Sequence, residues 1–180
     1  MNRRLAAAGI LIAAAASTAA CGSGTSHPVN GTETIHGKLT GAAAEANHPL
    51  FRLTFTGPVG TSGTISLDGS NAAKGQRHSL SSKAGTLAVT LDSAGKNTSS
   101  SNPALPKCAA AFTSTVPFTV DGAKSTGKFA HAKGNGTAVV AFAGDMPHLK
   151  AGQCDEASNA IPVAGTAVST FTATVALTLK

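Results

Sequence analysis

Residues 167–180, AVSTFTATVALTLK, are the stretch that decides the fold. The odd-numbered positions are mostly apolar and include Phe171, Val175 and Leu177, whereas most even-numbered positions are threonine. A two-residue period sends alternate side chains to opposite faces of a β-strand. The segment therefore predicts a long strand with one face in a core and the other in water.

Shorter segments upstream repeat this alternation. Apolar and polar residues alternate at 51–55, 65–68, 86–91 and 118–120, and residues 34–40 predict a first strand. Clusters of Gly, Pro, Asn and Ser separate the segments, and the longest of them, 93–106, predicts a mobile loop. Gly134-Asn135-Gly136 predicts a hairpin turn between strands at 127–133 and 137–143. Residues 41–47 and 155–159 are the only helix candidates, and each predicts at most one short helix.

This pattern predicts an all-β fold of eight or nine strands. An antiparallel β-sandwich is favoured, and a small closed β-barrel is the alternative. The chain has 180 residues, which suits one domain, with 12% charged residues and neither Trp nor Tyr. This composition argues against a coiled coil, a multi-domain enzyme and a polytopic membrane protein.

The N-terminus has the pattern of an export signal. Arg3 and Arg4 precede an uncharged apolar run at 5–16, and small residues follow it. A basic start, a short apolar run and a small-residue cleavage site are typical of a secretory signal peptide. We therefore expect residues 1–20 to be removed.

Thr18-Ala19-Ala20-Cys21-Gly22 resembles the lipobox of bacterial lipoproteins, with Thr18 where Leu is commonest. The resemblance implies that Cys21 becomes the first mature residue and carries a thioether-linked diacylglycerol. More broadly, the chain resembles small exported actinobacterial lipoproteins. We then expect a lipid-anchored flexible tether at 21–31 and an all-β domain at 32–180, on the outer face of the cytoplasmic membrane or released from it. The alternative is ordinary cleavage nearby, which would leave Cys21 as a free thiol.

Two cysteines remain in the predicted domain, Cys108 and Cys154. Two thiols in an exported domain are expected to form a disulfide. A metal-binding or redox pair is the alternative, but their spacing is unlike that of a C-x-x-C motif.

Residues 125–134, STGKFAHAKG, resemble a Gly-rich signature of the dirigent and allene-oxide-cyclase-like β-barrels. Ser125 replaces the first Gly of that signature. The resemblance implies a barrel in which Phe129 fills the interior. The carboxylates of that family have no counterpart here, so no activity is carried over.

Candidate functional residues are few. Of the six histidines, His131 and His148 are weak ligand candidates; His131 shares a predicted strand face with Phe129 and is expected to be partly buried. The His and carboxylate spacings predict neither a metal site nor a catalytic site. The densest basic stretch comprises Lys124, Lys128 and Lys133. Without interleaved aromatic residues it does not indicate nucleic-acid binding, but it would attract anionic lipid or wall polymer.

The sequence thus favours a non-catalytic, lipid-anchored envelope protein without a cofactor. Its expected partners are the membrane, through the anchor, and a protein, wall polymer or small ligand at its loops. The alternative is a barrel that carries an apolar ligand or is a cyclase-like enzyme.

Overall fold

The computed structural model describes residues 29–44, 49–66, 73–150, 152–156 and 161–180. The described residues form nine β-strands and two short 3₁₀ helices, Gly41–Ala43 and Gly127–Phe129. The strands are β1 (Val29–Thr40), β2 (Leu50–Thr56), β3 (Ser62–Ser66), β4 (Arg77–Ser82), β5 (Gly85–Leu91), β6 (Lys96–Ala104), β7 (Ala109–Val120), β8 (Lys133–Asp145) and β9 (Val168–Leu179). The all-β prediction is confirmed.

Eight of the strands close into an antiparallel barrel. The order is β5-β4-β3-β2-β1-β9-β8-β7, and β7 pairs back to β5 at Val89–Val120 and Leu91–Phe118. Closure removes the exposed edges that an open sheet would present. The closed barrel, rather than the sandwich, is therefore the architecture of this chain.

The ninth strand, β6, extends the sheet beyond the barrel. β5 and β6 follow one another along the same edge of β7, with β5 opposite residues 118–120 and β6 opposite residues 109–115. Pro117 lies at the changeover, where its carbonyl accepts a hydrogen bond from the Asp92 amide. We call β6, residues 109–115 of β7 and residues 139–145 of β8 the flap.

The barrel interior is filled by apolar side chains. The alternate residues of β9 from Phe171 to Leu179 are buried, as the period of residues 167–180 predicts. Phe51 and Phe171 lie with ring centroids 6.1 Å apart, and Phe55 and Phe129 6.0 Å apart. Aromatic pairs at this spacing stabilise a core beyond the area they bury.

One end of the barrel is closed by two segments, and we call it the plugged end. The β2–β3 turn places Val59 in the core, and the Gly127–Phe129 helix places Phe129 there with 0% exposure. The interior position expected for Phe129 is confirmed.

Two predictions around this plug are wrong. Residues 127–129 form a 3₁₀ helix rather than a strand, and Gly134-Asn135-Gly136 lies inside β8 rather than in a hairpin turn. An added Cβ at Gly134 would meet the Ala176 carbonyl oxygen, and one at Gly136 would meet that of Thr174. These glycines therefore allow β8 and β9 to approach closely, a use of Gly that sequence alone does not separate from a turn.

Residues 93–106 do not form one loop, because β6 occupies Lys96–Ala104. β6 is rich in serine and exposed, so it lacks the apolar alternation that reveals a half-buried strand. The first strand is also longer than predicted. It begins at Val29, so residues 29–31 of the predicted tether pair with β9.

Several predictions fall partly or wholly outside the described residues. These include the signal peptide, Cys21, most of the tether, and parts of the helix candidates 41–47 and 155–159. Of the first helix candidate, residues 41–43 form a single 3₁₀ turn.

The predicted disulfide is present. Cys108 and Cys154 are joined, with their Cα atoms 5.4 Å apart. The bond links the β6–β7 turn at the tip of the flap to the chain between β8 and β9. A backbone hydrogen bond from the Met146 amide to the Cys108 carbonyl lies beside it.

Candidate functional site

The plugged end contains a fully buried carboxylate. Glu33 is 0% exposed, and it lies on the inward face of β1 opposite Val175 of β9. Its Oε2 accepts a hydrogen bond from the Val59 amide at 2.9 Å, and its Oε1 accepts one from the Gly60 amide at 3.3 Å. A buried carboxyl group is costly unless it is hydrogen-bonded, and these two backbone donors meet that need. Glu33 therefore fixes the β2–β3 turn over the barrel.

Gly57 makes this contact possible. Its φ is +150°, a backbone conformation that favours glycine. A Cβ there would lie 2.9 Å from Glu33 Oε2 and would also meet the Thr32 carbonyl oxygen. A larger residue would displace the turn that satisfies Glu33.

Exposed lysines surround the plugged end. The Lys128 amide donates to the Ala84 carbonyl at 2.8 Å, which seats the 3₁₀ helix on the β4–β5 turn beside Lys83. The His131 amide donates to the Gly122 carbonyl at 3.0 Å, and this bond folds the β7–β8 connection back on itself. We call the resulting surface the basic face; its exposed members are Lys83, Lys124, Lys128, His131, Lys133 and Lys180.

The flap presents an aromatic pair at the opposite end. Phe112 and Phe142 are directly opposed on β7 and β8, and their rings stack with centroids 5.4 Å apart. They continue the inward-facing rows of β7 and β8 past the last β5–β7 pair, Leu91–Phe118, and Phe112 is 41% exposed. Further exposed apolar residues lie in the turns and loops around the flap, at Leu105, Leu149, Ile161 and Val163.

The structure does not bring the two histidine candidates together into one site. His131 is exposed in a turn with φ +59°, so its predicted place on a strand and its partial burial are wrong. Because the Gly127–Phe129 helix replaces that strand, Phe129 turns inward while His131 turns outward. His148 is exposed near the flap and pairs by its backbone with Cys154.

No group of three or more His, Cys, Asp or Glu side chains among the described residues is placed to hold a metal ion. Across those same residues, no helix has the length and apolar character needed to cross a membrane. What the arrangement provides is a packed barrel with a basic face at one end and apolar side chains at the other.

Sequence reasoning missed Glu33 and the stacked pair. No local pattern marks Glu33, because its burial depends on a turn more than twenty residues away. Phe112 and Phe142 do lie in segments with strand character, but only the register of β7 and β8 shows that they are directly opposed. The disulfide was the one pairing that residue counts could reveal.

The sequence also did not predict which lysines form the basic face. Lys83 and Lys180 are distant in sequence from the basic stretch at 124–133, and only the closed topology places them at the same end. The chain as a whole matches no family model, no curated protein and no solved structure.

Proposed function

We propose that this protein is a non-catalytic, lipid-anchored domain of the cell envelope that presents its flap to a partner. The observation that carries the proposal is the position of the first strand. Val29 pairs with Leu179 at the plugged end, so the chain that leads back to Cys21 joins the barrel there. An anchor at Cys21 would therefore hold the plugged end toward the membrane and the flap away from it.

The dimensions of the chain support this orientation. Residues 22–28 separate Cys21 from Val29. They can span at most about 25 Å when fully extended. β7 has 12 residues and is about 40 Å long at the usual rise of a strand. The barrel would thus be held close to the bilayer, with the flap tip raised above it.

The character of the flap supports a protein as the partner. Five of the seven exposed large hydrophobic residues described lie on the flap or in the loops around it: Leu105, Phe112, Leu149, Ile161 and Val163. Clustered exposed apolar side chains, in particular aromatic ones, are typical of protein interaction surfaces.

The filled interior favours this proposal over a carrier of apolar ligands. Ligand-carrying barrels leave room inside. Here Phe51, Phe55, Phe118, Phe129 and Phe171 all lie in one buried cluster with the aliphatic side chains. The disulfide is also consistent with an exported, oxidising location.

The test is the change Cys21→Ala in the chain that includes residues 1–20, expressed in a bacterium that processes lipoproteins. We expect wild-type protein to sediment with membranes and to carry the added mass of a diacylglycerol. The variant should appear in the medium or the soluble fraction, because a covalent acyl anchor is lost. Thr18→Leu, which introduces the residue commonest at that lipobox position, serves as the matched control and should stay with the membrane. Wild-type protein without an added lipid mass, or with residues 1–20 retained, would contradict the proposal.

A further inference from the structure

We infer that the basic face is a second membrane contact, one that binds anionic phospholipid headgroups and holds the barrel upright on its anchor. This inference rests on the proposed function for its physiological setting. It is carried by a separate observation, namely where the fold gathers its lysines. The surface is defined by five lysines, Lys83, Lys124, Lys128, Lys133 and Lys180, together with His131.

Three elements distant in sequence build this face. The β4–β5 turn contributes Lys83, the β7–β8 connection with the start of β8 contributes Lys124, Lys128 and Lys133, and the end of β9 contributes Lys180. The β4–β5 turn and the 3₁₀ helix touch so closely that an added Cβ at Gly85 would meet the Thr126 carbonyl oxygen. Lys133 of β8 lies opposite Thr178 of β9, and Thr178 is two residues before Lys180. The positive groups thus share the rim of one barrel end.

Negative charge at this end is small. Among the described residues, the side-chain carboxylates at this end are those of Asp121 and Glu33. Asp121 is half-buried, and Glu33 is fully buried with both oxygens on backbone amides of the β2–β3 turn. The opposite end mixes its charges, with Asp92, Asp145, Asp155 and Glu156 among its basic residues. The electrostatic asymmetry therefore follows the long axis of the barrel.

The position of Val29 indicates that an anionic membrane is the partner of the basic face. Val29 lies at the same end as the basic face, opposite Leu179. Seven residues separate Cys21 from Val29, and a Gly/Ser-rich chain of that length has a root-mean-square span of about 15 Å. That distance is comparable to the Debye length of about 10 Å at moderate salt, so the lysines would lie within the field of an anionic bilayer.

The test uses the Cys21→Ala chain without residues 1–20, which is the mature form under the proposed function, together with synthetic vesicles. Neither the signal segment nor a lipid anchor can then contribute to binding. One vesicle is phosphatidylcholine alone, and the other contains about one third phosphatidylglycerol, a range in which each lysine contributes about 1 kcal/mol, or about fivefold. We expect the protein to cosediment with the anionic vesicles at low salt and to be released by high salt. The triple change Lys83→Gln, Lys128→Gln, Lys133→Gln should lower the partition coefficient about 100-fold.

The matched control removes the same charge from the other end. Lys96→Gln, Lys107→Gln, Lys150→Gln changes three exposed lysines on or beside the flap, and we expect it to lower binding less than about threefold, as only long-range attraction is lost. Unchanged thermal unfolding of both variants will show that each is folded. Equal losses in the two variants would reduce the effect to net charge and overturn the inference.

Two further outcomes are decisive. Equal binding to both vesicle types would show that headgroup charge is not recognised, and would overturn the inference. Binding to purified anionic wall polymer without binding to the anionic vesicles would do the same, and would assign the face to the wall. Because the assay omits the lipid anchor, its result is independent of whether Cys21 is acylated.

Discussion

At the scale of single residues, Glu33 is the most informative position. Its carboxylate ties β1 to the β2–β3 turn through the amides of Val59 and Gly60. The same turn places the side chain of Val59 in the core. The β2–β3 turn therefore provides both the hydrogen bonds to Glu33 and the burial of Val59. The loss of either contact should weaken the other.

We expect Glu33→Ala to lower the free energy of unfolding by about 2–5 kcal/mol, because two amides lose their acceptor and a cavity opens. Glu33→Gln should cost about 1–3 kcal/mol, since an amide keeps one acceptor but turns its NH₂ toward a backbone donor. Urea unfolding monitored by circular dichroism measures both values. Glu156→Gln, at an exposed position, is the control and should change stability by less than about 0.5 kcal/mol. Equal stability of all three variants would show that the hydrogen bonds of Glu33 to the Val59 and Gly60 amides contribute nothing to the stability.

At the scale of elements, the disulfide secures the flap. Cys108 is fully buried in the β6–β7 turn, and Cys154 follows the β8 strand at the same tip. The chain between them makes a loop of about 47 residues, and closing such a loop stabilises a fold by up to about 4 kcal/mol in the chain-entropy view. β7 and β8 pair over eleven residue pairs from Ala109–Asp145 to Thr119–Asn135, so the flap has a sheet as well as a covalent link.

We expect the double change Cys108→Ser, Cys154→Ser to destabilise the protein by about 2–4 kcal/mol while the barrel still folds. Limited proteolysis should then cut in the β6–β7 turn or in the β8–β9 connection before it cuts the barrel strands. Wild-type protein treated with a thiol reductant should show the same pattern, which separates loss of the bond from the serine substitutions. A first cleavage elsewhere, at the β2–β3 turn for example, would show that the disulfide does not secure the flap.

The elements also show which structure the sequence can predict. β9 was predictable because one of its faces is buried along its whole length, so apolar residues recur at every second position of its sequence. β6 was not predictable, because it is an exposed outer strand and has no buried face that would require alternating apolar residues. In β8, glycines that serve close strand contact resembled turn glycines. Local sequence patterns therefore fail to predict the structure wherever the role of a residue depends on a contact with residues distant in the sequence.

At the scale of the whole molecule, the two ends of the barrel differ because of its topology. The Cys108–Cys154 pair could be expected from the cysteine count, whereas the basic face could not, since Lys83 and Lys180 join it only when the barrel closes. Closure itself depends on β1 entering between β2 and β9. That insertion also brings Val29 beside Leu179, so the start of β1 and the basic face lie at the same end of the barrel.

This closure makes a prediction about the distribution of stability. β9 is paired along both edges, with 12 registered residues against β1 and 11 against β8. β6 is paired with β7 through an irregular register, with shifts at Asn97–Ser99 and Ser101–Ala104. Amides in a central strand exchange mainly through global unfolding, whereas those of an outer strand exchange through local opening.

In native-state hydrogen exchange we therefore expect β6 amides to exchange at least about 100-fold faster than those of β9, a difference in opening free energy of about 3 kcal/mol. Mild urea should accelerate exchange in β9 with the slope of global unfolding and leave that of β6 almost unchanged, since local opening exposes little surface. Residues 118–120 of β7 pair with β5 inside the barrel and form the internal control, which should follow β9. If β6 were as protected as β9, the flap would unfold only with the barrel, and its surface would be as rigid as the core that supports it.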